Sequence, residues 1–173
     1  MWLNRIAGVM MAVLVSHQVD ANETTLLNRW TLAPGHYPFV QQKWIKGLQR
    51  PLRSSGYLAL NEQSLEWVTE KPVLQKVHLD AHGVTLQHQQ VQAGSELIGQ
   101  LMLAVVQHDT SFLAKHFSIS KLQAGCLKMQ PKAAPLNKFY QQIQLCGETK
   151  LEQIELIEVK GNRSLIQLQG PEA

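Results

Sequence analysis

The sequence has little cysteine and little charge, and no long apolar run follows its N-terminal segment. Two cysteines are too few for a thiolate metal site, since structural zinc centres take four protein ligands. Charged residues make up 17% of the chain and the net charge is +3, so an extended basic surface for nucleic acid is not expected. No later segment reaches the roughly 18 apolar residues of a membrane-spanning helix. We therefore predict no metal, no cofactor and no nucleic-acid partner.

The N-terminus has the parts of a secretory signal peptide. Arg5 provides a positive n-region, an apolar h-region follows, and Val19 and Ala21 place small residues at the −3 and −1 positions of a cleavage site. No cysteine lies at that site, so a lipid anchor is not expected. Residues 1–21 are therefore predicted to be a signal peptide, and residues 22–173 a single exported domain.

Apolar and polar residues alternate along most of the chain, which predicts β-strands with one buried face. The alternating segments are short and are separated by turn residues, which is typical of an antiparallel meander. They are residues 39–48, 56–60, 64–69, 76–80, 84–86, 121–130, 138–146, 151–159 and 164–169. The predicted fold class is α+β, mainly β, with an antiparallel sheet that curves through its own twist.

One segment, residues 95–107, has helical spacing instead. Its sequence SELIGQLMLAVVQ is apolar around most of the helix, more than packing on one side requires. Asp109 is the expected N-cap of a second, shorter helix. Two explanations for the long helix stay open: it fills the core of the sheet, or helix and sheet enclose an apolar cavity with Met102 as adaptable lining.

Cys126 and Cys146 form an even pair in an exported protein, which favours a disulfide. If they lie on neighbouring strands of one hairpin, they have a similar depth in the sheet and are close enough to be bonded. The alternative is a pair of separate buried thiols.

No combination of residues provides a catalytic site. Ser54, Ser55 and Gly56 lack the Gly-x-Ser-x-Gly frame of a nucleophile elbow. His78 and His82 would be about 13 Å apart on an extended strand, and no third metal ligand accompanies them. The protein is therefore predicted not to be an enzyme, and a binding or carrier function is expected.

Short hydrophobic motifs occur along the chain in the order found in one family of periplasmic proteins. They are Phe39-x-Gln41-x-Lys43, Gly56-x-Leu58-x-Leu60, Leu65-x-Trp67 with Pro72, Leu127-x-Met129-x-Pro131, Phe139-x-x-x-Ile143-x-Leu145 and Ile154-x-Leu156. With these motifs over nearly the whole mature chain, the sequence resembles the outer-membrane lipoprotein carriers, LolA and LolA-like proteins.

The resemblance implies a fold, a location and partners. The fold would be an incomplete, strongly curved antiparallel barrel with a helical lid over an apolar cavity that shields the acyl chains of a lipoprotein or related lipid. The location would be the periplasm of a Gram-negative envelope. The partners would be an inner-membrane donor complex and an outer-membrane acceptor, and we expect the carrier to be a monomer.

The resemblance and the strand alternation together predict the lining of the cavity. Leu65 and Trp67 match cavity-facing positions of the family, other strand residues follow from alternation, and three helical residues are assigned to the lid from their spacing. The predicted lining is Leu58, Leu60, Leu65, Trp67, Val77, Leu79, Leu101, Met102, Val105, Leu127, Met129, Phe139 and Ile143.

One departure from the family concerns the lid. The carriers have an arginine shortly before the tryptophan that ties the lid shut, whereas this chain has Asn61-Glu62-Gln63-Ser64 there. A different latch is therefore expected, and a glycolipid or polyene lipid is an alternative cargo. A non-catalytic sensor of lipids or of envelope stress is the alternative function, and a hydrolase is disfavoured because no nucleophile–base pair is visible.

The basic residues cluster in one place. Lys43, Lys46, Arg50 and Arg53 lie within one short stretch. They indicate either a surface for an anionic membrane or partner, or a strand edge that is protected from aggregation by charge.

Overall fold

The fold is described by a computed structural model over residues 25, 27, 28, 30, 32–86, 96–107 and 109–170, with the backbone alone at 96–98. These residues form strands and helices in the following order: β1 (Gly35–Trp44), β2 (Leu52–Leu60), β3 (Ser64–Lys71), β4 (Gln75–Asp80), β5 (Gly83–Leu86), α1 (Glu96–Gln107), α2 (Thr110–His116), β6 (Phe117–Gln123), β7 (Cys126–Pro131), α3 (Leu136–Phe139), β8 (Tyr140–Cys146), β9 (Gln153–Glu158) and β10 (Arg163–Leu168). The predicted signal peptide lies outside the described residues.

All ten strands belong to one antiparallel sheet in the order β5-β4-β3-β2-β1-β10-β9-β8-β7-β6. Strands that follow one another along the chain are paired, except for β5 and β6. In addition, the first strand, β1, pairs with the last, β10. The sheet is therefore open, with β5 and β6 at its edges. This confirms the predicted fold class, mainly β with an antiparallel sheet that does not close.

Because neighbouring strands are antiparallel, their connections lie at two opposite ends of the sheet. The β2–β3, β4–β5, β6–β7 and β8–β9 connections lie at one end, which we call the turn end. The β1–β2, β3–β4, β7–β8 and β9–β10 connections lie at the other, which we call the loop end.

The helices cover one face of the sheet, which we call the inner face. Helix α1 contacts β4 and β5 at one edge, α2 contacts α1, and α2 leads directly into β6 at the other edge. Asp109 caps α2, since its side chain accepts a hydrogen bond from the backbone N–H of Phe112, as predicted. Among the described residues, no helix is long and apolar enough to cross a membrane.

Several predicted strands were wrong in extent. Those expected over residues 39–48 and 56–60 are Gly35–Trp44 and Leu52–Leu60. The single strand expected over residues 121–130 is two strands, because a turn at Gly125 with φ of +70° separates β6 from β7. The strand expected from residue 138 begins at Tyr140, because the short helix α3 precedes it. Both breaks were missed because each segment was interpreted as one alternating run.

Candidate functional site

The antiparallel register places the alternating apolar residues on the inner face, side by side on neighbouring strands. Leu58 pairs with Trp67, and Trp67 pairs with Val77. On the other half of the sheet, Met129 pairs with Ile143. Such directly opposed side chains lie about 5 Å apart, so the rows form a continuous apolar surface.

Most of the predicted lining belongs to this surface or to α1 packed upon it. The core cluster or its immediate packing shell contains Leu58, Leu60, Leu65, Trp67, Val77, Leu79, Leu101, Met102, Val105, Leu127, Met129 and Ile143.

Phe139 is the exception, and its predicted place in the lining was wrong. It is the last residue of α3 and its side chain is 52% exposed at the surface. The alternation of β8 does not extend into a helical turn, so the parity that placed Phe139 inside does not apply to it. Leu136, one turn earlier, is the buried residue of α3.

Several buried residues of the inner face were left out of the predicted lining. Phe39, Ile154 and Ile166 are 2% exposed or less and belong to the same core cluster. The alternation could have identified these residues, because each lies on an alternating strand at the parity of the inner face. Ile154, for example, pairs with both Leu145 and Ile166.

The inner face is filled rather than empty where α1 lies on it. Leu65, Leu127 and Met129 have 0% exposure, and Leu101 and Val105 of α1 have 3% and 5%. A side chain with no exposure touches no space large enough for a water molecule. Of the two explanations for the long helix, the core-filling one therefore describes these residues in this structure.

On β3 and β4, burial of the inner face decreases towards the loop end. On β3, Leu65 is fully buried whereas Trp67 is only partly buried, and on β4 the same change occurs from Leu79 to Val77. Trp67 packs against Phe39 with ring centroids 5.0 Å apart. The apolar interior thus approaches solvent towards the loop end of β3 and β4, whereas Phe117 and Leu136, at the same end of the other half of the sheet, are buried.

Polar side chains complete the inner face at the loop end. Gln41 and Lys43 follow Phe39 at the same parity of β1. Lys43 Nζ lies 3.1 Å from Glu158 Oε1, and Asn162 Nδ2 donates a 2.8 Å hydrogen bond to Glu158 Oε2. This ion pair marks the boundary between the apolar interior and solvent.

The ion pair changes the titration of its carboxylate. Burial alone would raise the pKa of Glu158, but hydrogen bonds from Asn162 and Lys43 and the charges of Lys43 and Lys160 hold that pKa below its ordinary value. On the paired strand, burial and then the charge of Glu158 raise the pKa of Tyr140. Tyr140 therefore stays neutral and Glu158 stays ionised near neutral pH.

Apolar packing and a few polar contacts hold α1 on the sheet. Gln107 Nε2 donates a 2.6 Å hydrogen bond to the carbonyl of Glu62, and Gln100 Nε2 donates one of 3.2 Å to the carbonyl of Ala81. Both acceptors lie in turns at the turn end. No residue of α1 after Glu96 carries a charge. The bond from Gln107 thus joins the last residue of α1 to the β2–β3 turn.

A close backbone contact also fixes the position of α1. A Cβ added at Gly99 would lie 2.6 Å from the carbonyl oxygen of Asp80 and 2.8 Å from that of Gly83. Only glycine leaves room for this approach, so α1 is seated directly on the β4–β5 turn.

His78, Asp80 and His82 have a structural role in the same turn. Asp80 Oδ1 accepts hydrogen bonds from the backbone N–H of His82 at 2.8 Å and of Gly83 at 3.1 Å. Within the described part of the chain, no three His, Cys, Asp or Glu residues are grouped as metal ligands would be. Asp80 therefore closes a tight turn.

Cys126 and Cys146 are bonded to each other. They are directly paired on β7 and β8 with Cα atoms 4.2 Å apart, and their sulfur atoms form a disulfide. Of the two possibilities left by the sequence, the bridge is therefore the observed one.

Comparison with known proteins gives similarity of structure without similarity of sequence. No family model matches the chain, and no curated protein matches its sequence. The chain is similar to a LolA superfamily protein from Nitrosomonas europaea, with a TM-score of 0.48 and 6% identity, over 86% of this chain and 91% of that chain. It is also similar to a domain from Vibrio parahaemolyticus named as an outer-membrane lipoprotein-sorting protein, with a TM-score of 0.35 and 7% identity, over 87% of this chain and 92% of that chain. At these scores and identities, function has to be inferred from this chain's own residues.

Proposed function

We propose that this protein is a non-catalytic periplasmic carrier that binds the acyl chains of a lipoprotein or a related lipid and moves them towards the outer membrane. The observation that carries the proposal is the continuous apolar inner face, on which the apolar helix α1 packs and which becomes less buried towards the loop end of β3 and β4. The ordered motifs that resemble the lipoprotein carriers support the same function. An inner-membrane donor and an outer-membrane acceptor are proposed on that resemblance alone.

Binding requires α1 to move, because its side chains occupy the inner face. An acyl chain that takes their place gains about 0.8 kcal/mol for each CH₂ group removed from water. The cost is the separation of α1 from β4 and β5, with loss of its buried apolar contacts, of the hydrogen bonds of Gln100 and Gln107, and of the bond from the backbone N–H of Leu32 to the carbonyl of Val106.

Trp67 gives the sharpest test, since it belongs to the inner face but is only partly buried. We expect the protein to bind an environment-sensitive apolar fluorophore, and Trp67→Glu to abolish that binding because a carboxylate would be desolvated by the ligand. Trp67→Leu is the matched control, because it keeps an apolar side chain at the same position. Fluorescence titration measures binding, and circular dichroism checks the fold of both variants.

Two results would argue against the carrier. The first is the absence of fluorophore binding by the unmodified protein at any concentration below its aggregation limit. The second is equal affinity in the Trp67→Glu and Trp67→Leu variants, which would place any ligand elsewhere.

The filled interior favours one second candidate. A sheet whose inner face is permanently covered would act as a rigid scaffold, in keeping with an envelope sensor or interaction module. Hydrogen exchange separates the two candidates: a carrier exposes the amides of α1 by local opening, whereas a scaffold exposes them only on global unfolding.

A further inference from the structure

The exposed large hydrophobic side chains are concentrated at the loop end. All of those in the described residues except Leu122 lie in its connections or beside them: Leu48, Leu52, Val73, Leu74, Phe139 and Val159, with exposures from 52% to 72%. Single exposed hydrophobic residues are ordinary on a protein surface, but confinement to one end is not.

Positive charge is concentrated at the same end. The exposed basic residues there are Lys46, Arg50, Arg53, Lys71, Lys76, Lys132, Lys138, Lys160 and Arg163. Arg163 is ion-paired with the buried Glu155, and Lys43 is paired with Glu158. Glu70 is the further acidic residue at this end of the described chain. The remaining basic residues give the loop end a clear excess of positive charge.

The connections that carry these residues are held together. The backbone N–H of Lys46 donates a 3.1 Å hydrogen bond to Asn162 Oδ1, which joins the β1–β2 and β9–β10 connections. The backbone N–H of Val159 donates a 3.0 Å hydrogen bond to the carbonyl of Phe139, which joins the β9–β10 connection to α3. The apolar and basic side chains of the β1–β2 connection, the β9–β10 connection and α3 are therefore presented together.

A cleft of about 220 Å³ opens in this surface. Lys138 and Lys160 line it together with Phe139, Tyr140 and Glu158. Two lysines beside an exposed aromatic ring can contact an anionic headgroup and the top of an acyl chain at the same time.

Protection of a sheet edge does not explain the basic residues. Lys46, Arg50 and Arg53 belong to β2 or to the connection between β1 and β2, and these strands lie in the middle of the sheet, away from the edge strands β5 and β6. Edge strands are where charge prevents aggregation. The explanation based on a strand edge is therefore excluded for this cluster.

We propose that the loop end docks on the surface of an anionic phospholipid bilayer, with Leu48, Phe139 and Val159 among the headgroups and the surrounding lysines on the phosphates. A bilayer fits better than a protein partner because lysines are numerous here, whereas lysine is depleted from protein–protein interfaces. Juxtamembrane lysines and arginines are attracted to anionic lipids. This docking does not require cargo, so it stands whether or not the proposed carrier function is correct.

Vesicle flotation of the cargo-free protein tests the proposal. We expect binding to phosphatidylcholine vesicles that contain phosphatidylglycerol, and little binding to phosphatidylcholine alone. Lys138→Gln with Lys160→Gln should weaken binding by about fivefold for each cation removed. The matched control is Lys121→Gln with Lys150→Gln, which makes the same change in net charge away from the loop end. Phe139→Ser should also weaken binding, and its control is Leu122→Ser, since Leu122 is 45% exposed on β6.

Three results would overturn the proposal. They are no binding to phosphatidylglycerol vesicles at low salt, equal losses in the loop-end and control variants, and equal binding to both vesicle types. The first result, no binding to phosphatidylglycerol vesicles, would indicate that an acidic protein and not a bilayer binds this surface. Fluorophore binding measured on the same variants separates this result from failure of the carrier function, because the loop-end substitutions lie outside the apolar inner face.

Discussion

At the scale of single residues, β1 changes from apolar to polar within one face. Phe39 is 1% exposed and contacts Trp67, whereas Gln41 and Lys43 are partly exposed at the same parity. Gln41 accepts a 3.3 Å hydrogen bond from the hydroxyl of Ser54, with which it is paired. The apolar surface therefore ends in a row of satisfied polar groups.

Glu158 lies beside that row, and we expect it to make the stability of the fold depend on pH. Its pKa is lower in the folded protein than the ordinary 4.5. As the pH falls below 4.5, the carboxylate of Glu158 takes up a proton in the unfolded chain before it does so in the folded protein. The free energy of unfolding therefore falls as the pH decreases from 4.5 through the folded pKa. Glu158→Gln should remove this part of the decrease. Urea unfolding at a series of acidic pH values measures it, and identical slopes for both proteins would contradict the assignment.

At the scale of elements, α1 is held on the sheet by contacts that can be removed singly. Gln107→Ala deletes the hydrogen bond to the carbonyl of Glu62. An exposed bond of this kind contributes about 0.5 to 1 kcal/mol, so the population with α1 displaced should rise about twofold to fivefold. Hydrogen exchange at the α1 amides measures the rise. Gln141→Ala, at an exposed position of β8, is the control, and equal exchange in both variants would mean that Gln107 is not a latch.

Removal of the disulfide is expected to lower the stability of the fold. It closes a loop with a sequence separation of 20 and joins β7 to β8 at their ends. Cys126→Ser with Cys146→Ser should lower the free energy of unfolding by about 2 to 4 kcal/mol, mainly because the unfolded chain regains freedom. Chemical denaturation under matched conditions measures this. A loss below about 0.5 kcal/mol would show that the bridge adds no constraint beyond the strand pairing.

The elements differ in how far the sequence could predict them. The alternation of Leu65 with Trp67 and of Val77 with Leu79 predicts both the strands and their buried face, because period two is a local signal. The apolar stripe of α1 is equally local. The break at Gly125 and the helical turn at Phe139 were missed, because each segment was interpreted as one alternating run. Whether Leu101 fills the inner face depends on how α1 packs on the sheet, and no local sequence pattern encodes that packing.

At the scale of the whole molecule, the open sheet has two chemically different ends. The turn end is covered by α1, which is seated at Gly99 and bonded through Gln100 and Gln107. The loop end carries most of the exposed large hydrophobic residues, the excess of positive charge and the less buried part of β3 and β4. If the loop end docks on a bilayer, the partly buried Trp67 and Val77 lie on the side of the inner face nearer the membrane.

Native mass spectrometry of protein isolated from the periplasm examines the carrier function without an artificial ligand. We expect the unmodified protein and Trp67→Leu to carry a bound species whose mass corresponds to a lipoprotein or other acylated lipid, and Trp67→Glu to carry none. Bound lipid absent from all three folded proteins, or present equally in all three, would contradict the acyl-chain site on the inner face.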